Sequence, residues 1–193
     1  MKKITLDDIK GLASYEKVRA DFRQRIINLK KKRRVPIGDK VTLVFENRDT
    51  VIFQIQEMLR AERITDLDKV RDEIETYNSL IPEPGELSAT LLLEIEDQSN
   101  MREQLLKFLG VDEAVYLKVG DKGTVRAQFE EGRSRDDKIS AVQYVKFPVG
   151  EELRKGFADN KNEIKLVIEH PNYRAETRLD PETQESLAED LEP

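Results

Sequence analysis

The pattern of hydrophobic and polar positions predicts a strand that runs into a helix between residues 41 and 63. In the strand, apolar side chains occupy the alternating positions Val41, Leu43 and Phe45, as expected of a mostly buried strand. A polar turn follows, in which Asn47 or Asp49 can accept hydrogen bonds from the free amides of a helix start. We expect one face of the helix to pack on the strand, formed by Val51, Ile55, Met58 and Leu59.

The opposite face of this helix is unusually polar. Gln54, Glu57 and Arg60 follow at steps of three, which aligns them along one side. Two interpretations are open: a solvated face with weak surface ion pairs, or the wall of a pocket for a ligand or a partner. The chemistry alone favours the solvated face, because charged helix faces are common.

A basic N-terminal segment, residues 1–38, is predicted to be mostly one amphipathic helix. Its apolar positions recur at steps of three and four: Tyr15, Val18, Phe22, Ile26 and Leu29. The helix is expected to end in a run of five cations: Lys30, Lys31, Lys32, Arg33 and Arg34. Such a run can bind nucleic acid phosphates or an acidic partner, but cations are also favoured at a helix C-terminus without any ligand. No aromatic residue interrupts the run and the net charge is −6, so the pattern favours the second explanation.

The two ends of the chain are opposite in charge. Residues 1–34 hold twelve Lys and Arg against four Asp and Glu, a charge of +8, and the remaining 159 residues carry −14. In the acidic tail, residues 180–193, Asp180 can cap a helix with Pro181 at its first position. The tail is weakly apolar, so we expect it to fray. Its charge allows it to meet the basic run near residue 32, within one molecule or between molecules.

The remaining pattern predicts a single α+β domain covering residues 1–193. Helices are predicted at residues 67–77, capped by Thr65 or Asp66, at 100–109 and at 150–159. Strands are predicted at 86–96, 115–119, 125–129, 139–149, 164–168 and 173–179. The strands between 115 and 149 are expected to form a three-stranded antiparallel meander. We expect one mainly antiparallel sheet of about six or seven strands, with the N-terminal amphipathic helix and several other helices packed on it.

A charged loop, residues 132–138, joins the last two strands of the predicted meander. Arg133 and Arg135 could hold an anion, and Asp136 and Asp137 could hold a hard cation through oxygen. A solvated connection is the favoured interpretation.

The composition narrows the possible chemistry. The absence of cysteine excludes disulfides, thiolate nucleophiles and cysteine-ligated metal centres within this chain. The single histidine, His170, cannot belong to a two-histidine metal motif, and no G-x-S-x-G elbow occurs. We therefore expect a strand-end histidine and no cofactor. No signal-peptide pattern and no apolar run of roughly 20 residues is present, which predicts a cytoplasmic protein without membrane insertion.

Three long segments of the chain resemble the sequence of a known family. They are FENRDTVIFQIQEMLRAER from Phe45, PGELSATLLLEI from Pro84 and SRDDKISAVQYVKF from Ser134. Together they resemble domain-of-unknown-function family 3501, a bacterial family, over residues 6–148. The resemblance implies an association with rubrerythrin-like proteins and cysteine-rich iron–sulfur oxidoreductases, and hence with redox or peroxide metabolism. This implication is an association and assigns no activity.

The resembling segments also suggest a shared polar site. Their charged and amide side chains come from three places in the chain, and helix formation and packing do not require these residue types. The candidate ligand- or partner-binding residues are Glu46, Asn47, Arg48, Asp49, Gln54, Glu57, Arg60, Arg63, Glu86, Ser88, Arg135 and Gln143.

Three functions remain open. The one we favour is a non-catalytic accessory protein that binds an iron–sulfur oxidoreductase or a rubrerythrin-like protein through the Glu57 and Arg60 face. The second is an enzyme that uses Glu46, Glu57 and Glu86 as acid, base or Mg²⁺ ligands, with Arg48 and Arg60 holding an anionic substrate. The third is a nucleic-acid or acidic-partner binder that uses the basic run, with steep salt dependence. The oligomeric state does not follow from the sequence.

Overall fold

Eleven strands and six α-helices are present in the computed structural model, which describes residues 1–95, 98–132, 134–135, 138–159 and 161–192. The strands are β1 (Arg34–Ile37), β2 (Val41–Glu46), β3 (Glu86–Leu93), β4 (Val115–Val119), β5 (Gly123–Arg126), β6 (Gln128–Phe129), β7 (Ser134–Arg135), β8 (Lys138–Ile139), β9 (Val142–Pro148), β10 (Ile164–His170) and β11 (Tyr173–Arg178). The helices are α1 (Leu12–Lys31), α2 (Arg48–Ala61), α3 (Leu67–Asn78), α4 (Met101–Leu106), α5 (Gly150–Ala158) and α6 (Pro181–Asp190). Short 3-10 turns lie at Leu6–Asp8, Gln98–Asn100 and Val111–Glu113.

The strands form two larger antiparallel sheets. Sheet A has the order β1-β2-β3-β9-β6, and sheet B has the order β11-β10-β4-β5. The short strands β7 and β8 pair only with each other in the described chain. The α+β class and the antiparallel strands predicted from the sequence are confirmed, but the strands divide between two sheets instead of one.

The main hydrophobic core lies between the two sheets. Alternate residues of sheet A point into it, among them Phe45, Leu91 and Phe147, and they meet Leu117 and Leu166 of sheet B. The other face of sheet A is covered by helices, so every residue of β2 is buried. This explains why the sequence of β2 is apolar on both faces.

A second core lies on the outer face of sheet A. It joins the apolar sides of α2 and α3 to the N-terminal segment, through Val51, Ile55, Leu59, Ile74 and Ile4. Predicted capping residues begin three helices: Asn47 for α2, Asp66 for α3 and Asp180 for α6. Each of these side chains accepts a hydrogen bond from a main-chain amide of the first turn.

The predicted meander is wrong in its third strand. β4 and β5 pair in sheet B, but after Ala127 the chain crosses to sheet A, where β6 and β9 pair with each other. Hydrophobic alternation shows which face of a strand is buried and carries no information on which neighbour it joins, so the crossing was not visible in the pattern. Residues 34–37 form strand β1, at the end of the N-terminal segment that we predicted to be mostly helical.

The acidic tail is helical and packed. Leu187 and Leu191 are buried in the main core, at 0% and 1% exposure, and they anchor α6 where we expected fraying. Within the described ranges, no helix has the length and the apolar composition needed to span a membrane.

Candidate functional site

The turn before α2 is a closed hydrogen-bond network around Glu46. Asn47 Oδ1 accepts from the Thr50 amide at 3.1 Å, and the Asn47 amide donates to Thr50 Oγ1 at 2.9 Å. The Glu46 carboxylate is 2% exposed and accepts from two hydroxyls, Thr50 at 2.5 Å and Thr90 at 2.9 Å. The carboxylate therefore ties the start of α2 to the face of sheet A that the helix covers.

Arg48 and Asp49 make ion pairs with the N-terminal segment. Arg48 contacts Asp8 at 2.6 Å and donates to the main-chain carbonyl of Lys2 at 3.1 Å. The hydrogen bond from Arg48 lowers the pKa of Asp8 to about 2, helped by hydrogen bonds from the Thr5 main chain and side chain. Asp49 lies 3.6 Å from Arg25 on α1. Both side chains at the start of α2 thus face other parts of this chain.

Glu57 is the centre of the contact between α1 and α2. Its Oε1 accepts from the Tyr15 hydroxyl at 2.7 Å and from Arg19 Nε at 2.8 Å, and its Oε2 accepts from Arg19 Nη2 at 2.7 Å. The hydrogen bonds from Arg19 lower the pKa of the Glu57 carboxyl, against burial. Burial raises the pKa of Tyr15, and Glu57 raises it further. A two-pronged arginine contact of this kind holds two helices in one orientation.

The remaining polar residues of α2 lie around this contact. Arg60 Nε donates to Glu16 on α1 at 2.5 Å. Burial raises the pKa of Tyr77 on α3, and the neighbouring Gln54 side chain acts in the opposite direction. Arg63 follows the helix with a φ of 54°, in the left-handed region, and is exposed. The aligned Gln54, Glu57 and Arg60 are therefore covered in part by the neighbouring helices.

The candidates outside α2 lie on sheet A. Glu86 Oε1 accepts from Lys146 Nζ at 2.8 Å, and Ser88 pairs in register with Glu46 on one side and with Lys146 on the other. Gln143 is buried and donates to the Ser140 carbonyl at 2.8 Å, with its side chain on the core face of β9. Arg135 lies in β7, and its side chain is outside the described atoms, as are residues Arg133, Asp136 and Asp137 of the charged loop.

The structure brings the candidates together in two groups, not in one pocket. Asp49, Glu57 and Arg60 face α1, while Glu46, Glu86 and Ser88 share the outer face of sheet A. The three carboxylates of the enzyme hypothesis have separate hydrogen-bond donors, and no hydrogen bond between described residues joins any two of them. Among the described residues there is also no group of three or more His, Asp or Glu side chains arranged to hold a metal ion.

Several important contacts were missed in the sequence analysis because they join distant residues. The polar face of α2 forms hydrogen bonds with Tyr15, Glu16 and Arg19 of α1. Gln56 is buried and forms hydrogen bonds in both directions with the main chain of Lys10. The one available signal for this helix pair was the position of Arg19, one helical turn after Tyr15 of the apolar stripe.

The basic run at the end of α1 is divided among several roles. Lys30 and Lys31 occupy the last turn of the helix, where the carbonyl ends favour cations. Arg33 is buried and donates to Asp190 of α6, and Lys32 lies 3.1 Å from Glu182. Arg34 contacts Glu94 at 2.6 Å. The basic run and the acidic tail thus meet within one molecule.

His170 is part of the core packing. It is 3% exposed, its Nε2 lies 2.8 Å from the Leu109 carbonyl, and its Nδ1 accepts from the Asn172 amide at 3.2 Å. These partners place the ring proton on Nε2. The ring also stacks near Phe108, with centroids 6.4 Å apart. Both nitrogens are used to hold the end of β10.

An open cleft of about 460 Å³ lies between α1 and α2. Its apolar surface comes from Val18, Phe22 and Ile52, and charged residues such as Asp21 and Arg25 surround them. Phe22 is held by an edge contact with Phe53, at 5.5 Å between centroids, and Arg25 lies over its ring at 4.8 Å. We call this feature the α1–α2 cleft.

Comparisons with known proteins place this architecture in a family. The model of a family described as "Protein of unknown function (DUF3501)" matches residues 3–191, which confirms the resemblance noted from the three segments. The chain is also similar to a crystal structure of a novel protein of unknown function from Burkholderia pseudomallei K96243, with 34% identity and a TM-score of 0.92 over 99% of this chain and 100% of that chain. No curated protein matches the chain.

Proposed function

Because the chain belongs to family DUF3501, we propose that it is a non-catalytic accessory protein that binds an acidic surface on a redox protein, either an iron–sulfur oxidoreductase or a rubrerythrin-like protein. The choice of partner rests on the association that the family resemblance implies. The choice of surface rests on the α1–α2 cleft and the exposed side of α1. The proposed contact surface is therefore the α1–α2 cleft with the exposed side of α1, and no longer the Glu57 and Arg60 face favoured from the sequence.

The observation that carries the proposal is the combination of an apolar cleft with unpaired cations on the same helix. Val18 is 38% exposed although it is apolar, and Phe22 is held in place beside it. Lys17, Arg23 and Lys31 are exposed on α1 and form no ion pair with any described residue. These cations lie outside the cleft, on the exposed surface of the same helix. An apolar patch together with an exposed charged surface is the usual composition of a transient protein interface.

The polar contacts between α1 and α2 explain why the proposed contact is not placed on Glu57 and Arg60 themselves. Glu57 and Arg60 are already occupied by Tyr15, Arg19 and Glu16, so they position α1 instead of meeting a partner directly. Cations along α1 would raise the rate at which an acidic partner associates, and added salt would lower it.

The experiment is a pull-down with the tagged full-length protein from native lysate, at about 50 mM and about 300 mM salt, followed by mass spectrometry. We expect an iron–sulfur or rubrerythrin-like protein at the lower salt concentration. The binding constant of that purified protein is then measured against Val18→Asp and Lys31→Glu, each expected to weaken binding about tenfold or more.

Matched controls lie elsewhere on the surface. Leu67 is the most exposed large apolar residue among those described, at 60%, and Lys161 is exposed without an ion pair to a described residue. Leu67→Asp and Lys161→Glu should leave binding unchanged. Recovery of no redox protein, or equal losses in the control and cleft variants, would contradict the proposal.

A further inference from the structure

A line of polar side chains crosses the outer face of sheet A, beside the end of α3. Strand register places Glu46 beside Ser88, Ser88 beside Lys146, and Lys146 beside Gln128. Paired residues of neighbouring strands share a face and lie roughly 5 Å apart. Three of these side chains offer hydrogen-bond donors in a row: the Ser88 hydroxyl, the Lys146 ammonium and the Gln128 amide.

These three residues line a cavity of about 210 Å³ between sheet A and the end of α3. Leu80 and Tyr144 contribute its less polar walls, and Glu130 also lines it. One water occupies roughly 30 Å³ in the liquid, so the cavity has room for a molecule of about seven non-hydrogen atoms. We call it the Ser88 cavity.

The Ser88 hydroxyl is the feature that points to a ligand. Ser88 is 2% exposed, yet its Oγ has no hydrogen-bond partner anywhere in the described parts of the chain. Buried hydroxyls are nearly always hydrogen-bonded, because loss of water without a replacement is costly. The missing partner of Ser88 would therefore lie in the cavity that its side chain lines.

The hydrogen-bond donors that line the cavity indicate which class of ligand it would bind. Lys146 uses one of its three N–H bonds for Glu86, at 2.8 Å, and the ammonium has two more to give. Ser88 and Lys146, as direct neighbours on β3 and β9, are placed to donate to the two oxygens of one carboxylate. We propose that the Ser88 cavity binds a small monocarboxylate, with its carboxylate on Ser88 and Lys146 and a short apolar body against Leu80 and Tyr144.

Butyrate, a six-atom probe, tests the proposal in the full-length protein. Amide shifts of Ser88, Lys146 and Gln128 in ¹H–¹⁵N NMR spectra are followed during titration, and we expect saturation with a Kd of about 1 mM. Butyramide has the same shape without the charge, and it should bind about tenfold more weakly or not at all. Lys146→Met and Ser88→Ala should each weaken butyrate binding about tenfold.

Lys118→Met is the matched control, because Lys118 is also a half-buried strand lysine, paired with Glu169 at 3.1 Å, on the other sheet. It should leave the titration unchanged. Gln128→Ala, at an exposed position, serves as a cavity variant without a risk to folding and should also weaken binding. Absence of saturable shifts at these amides, equal binding of butyramide, or equal losses in Lys118→Met would overturn the proposal.

Discussion

The guanidinium of Arg33 donates a hydrogen bond to the carboxylate of Asp190, 157 positions further along the chain, and both side chains are buried. Arg33 also donates to the main-chain carbonyls of Phe45 and Ser186, at 3.1 Å each. The arginine therefore links the end of β2 to α6. Burial raises the pKa of Asp190, while the charge of Arg33 acts in the opposite direction.

Removal of one partner of this pair should destabilise the protein strongly. Asp190→Ala leaves a buried arginine without its counterion, and we expect a loss of about 3 to 5 kcal/mol in the free energy of unfolding, measured in urea. Glu182→Ala, which removes the exposed pair with Lys32, is the control and should cost less than about 1 kcal/mol. Equal losses would show that Asp190 contributes no more than a surface residue.

The contact of α1 with α2 should depend on Glu57 far more than on Arg60. Glu57→Ala removes three hydrogen bonds and leaves the hydroxyl of Tyr15, which is 0% exposed, without its acceptor. We expect a cost of about 2 to 3 kcal/mol and faster hydrogen exchange along α1. Arg60→Ala breaks a pair in which both side chains are more than one-third exposed and should cost under about 1 kcal/mol. A small effect of Glu57→Ala would contradict this account.

Acid should weaken the contact between the N-terminal segment and α2. The pKa of Asp8 is about 2 in the folded protein against an ordinary 3.8, so the unfolded chain binds more protons between these values. The stabilisation by Asp8 is fully present above about pH 4 and is lost as the pH falls toward 2. The free energy of unfolding, measured in urea between pH 2 and pH 5, should change less steeply with pH for Asp8→Asn than for the wild type.

A suitable control for this pH experiment is Asp68→Asn. Asp68 also pairs with an arginine, Arg71 at 2.7 Å, but its side chain is 89% exposed. This variant should keep the wild-type slope, since exposed pairs contribute little to stability. An unchanged slope for Asp8→Asn would show that the Arg48 contact does not persist in solution.

The turn between β1 and β2 should not tolerate a side chain at Gly38. A Cβ there would lie 2.3 Å from the Tyr173 hydroxyl oxygen, which donates to the Ile37 carbonyl at 2.7 Å and accepts from the Lys40 amide at 3.1 Å. Gly85→Ala is a matched control, because its φ of 75° is close to the 70° of Gly38 but nothing lies within 4 Å. We expect Gly38→Ala to lower the free energy of unfolding by at least about 1 kcal/mol more than Gly85→Ala. Similar losses would indicate backbone strain alone.

Much of the local structure could be predicted from the residues. Asp180 begins α6 as expected, and Asn47 and Asp66 begin α2 and α3, each being one of the two caps considered for its helix. A short polar side chain before a helical run can satisfy its free amides. The hairpin of β10 and β11 also follows from alternation and a turn at Pro171 and Asn172. These features depend on neighbours within a few positions of the chain.

The candidate site could be predicted only in part. The polar face of α2 was identified, but the residues that meet it, Tyr15, Glu16 and Arg19, lie about 40 positions earlier. Ser88 and Glu46 were both selected, yet their direct pairing depends on the register of β2 and β3. Side-chain chemistry could identify these groups, and it could not show which partners they have.

The sequence by itself determined the class of the fold, the starts of α2, α3 and α6, the apolar faces and the exclusion of cysteine chemistry, because each depends on residue type and local spacing. Only the tertiary structure decided that β6 and β9 leave the expected meander for sheet A, that the acidic tail packs as α6, and that Arg33 is buried against Asp190. The physical reason is the same in each case. Strand pairing and ion pairing between distant residues are chosen by how the whole chain buries its apolar surface, and a local pattern is compatible with several such choices.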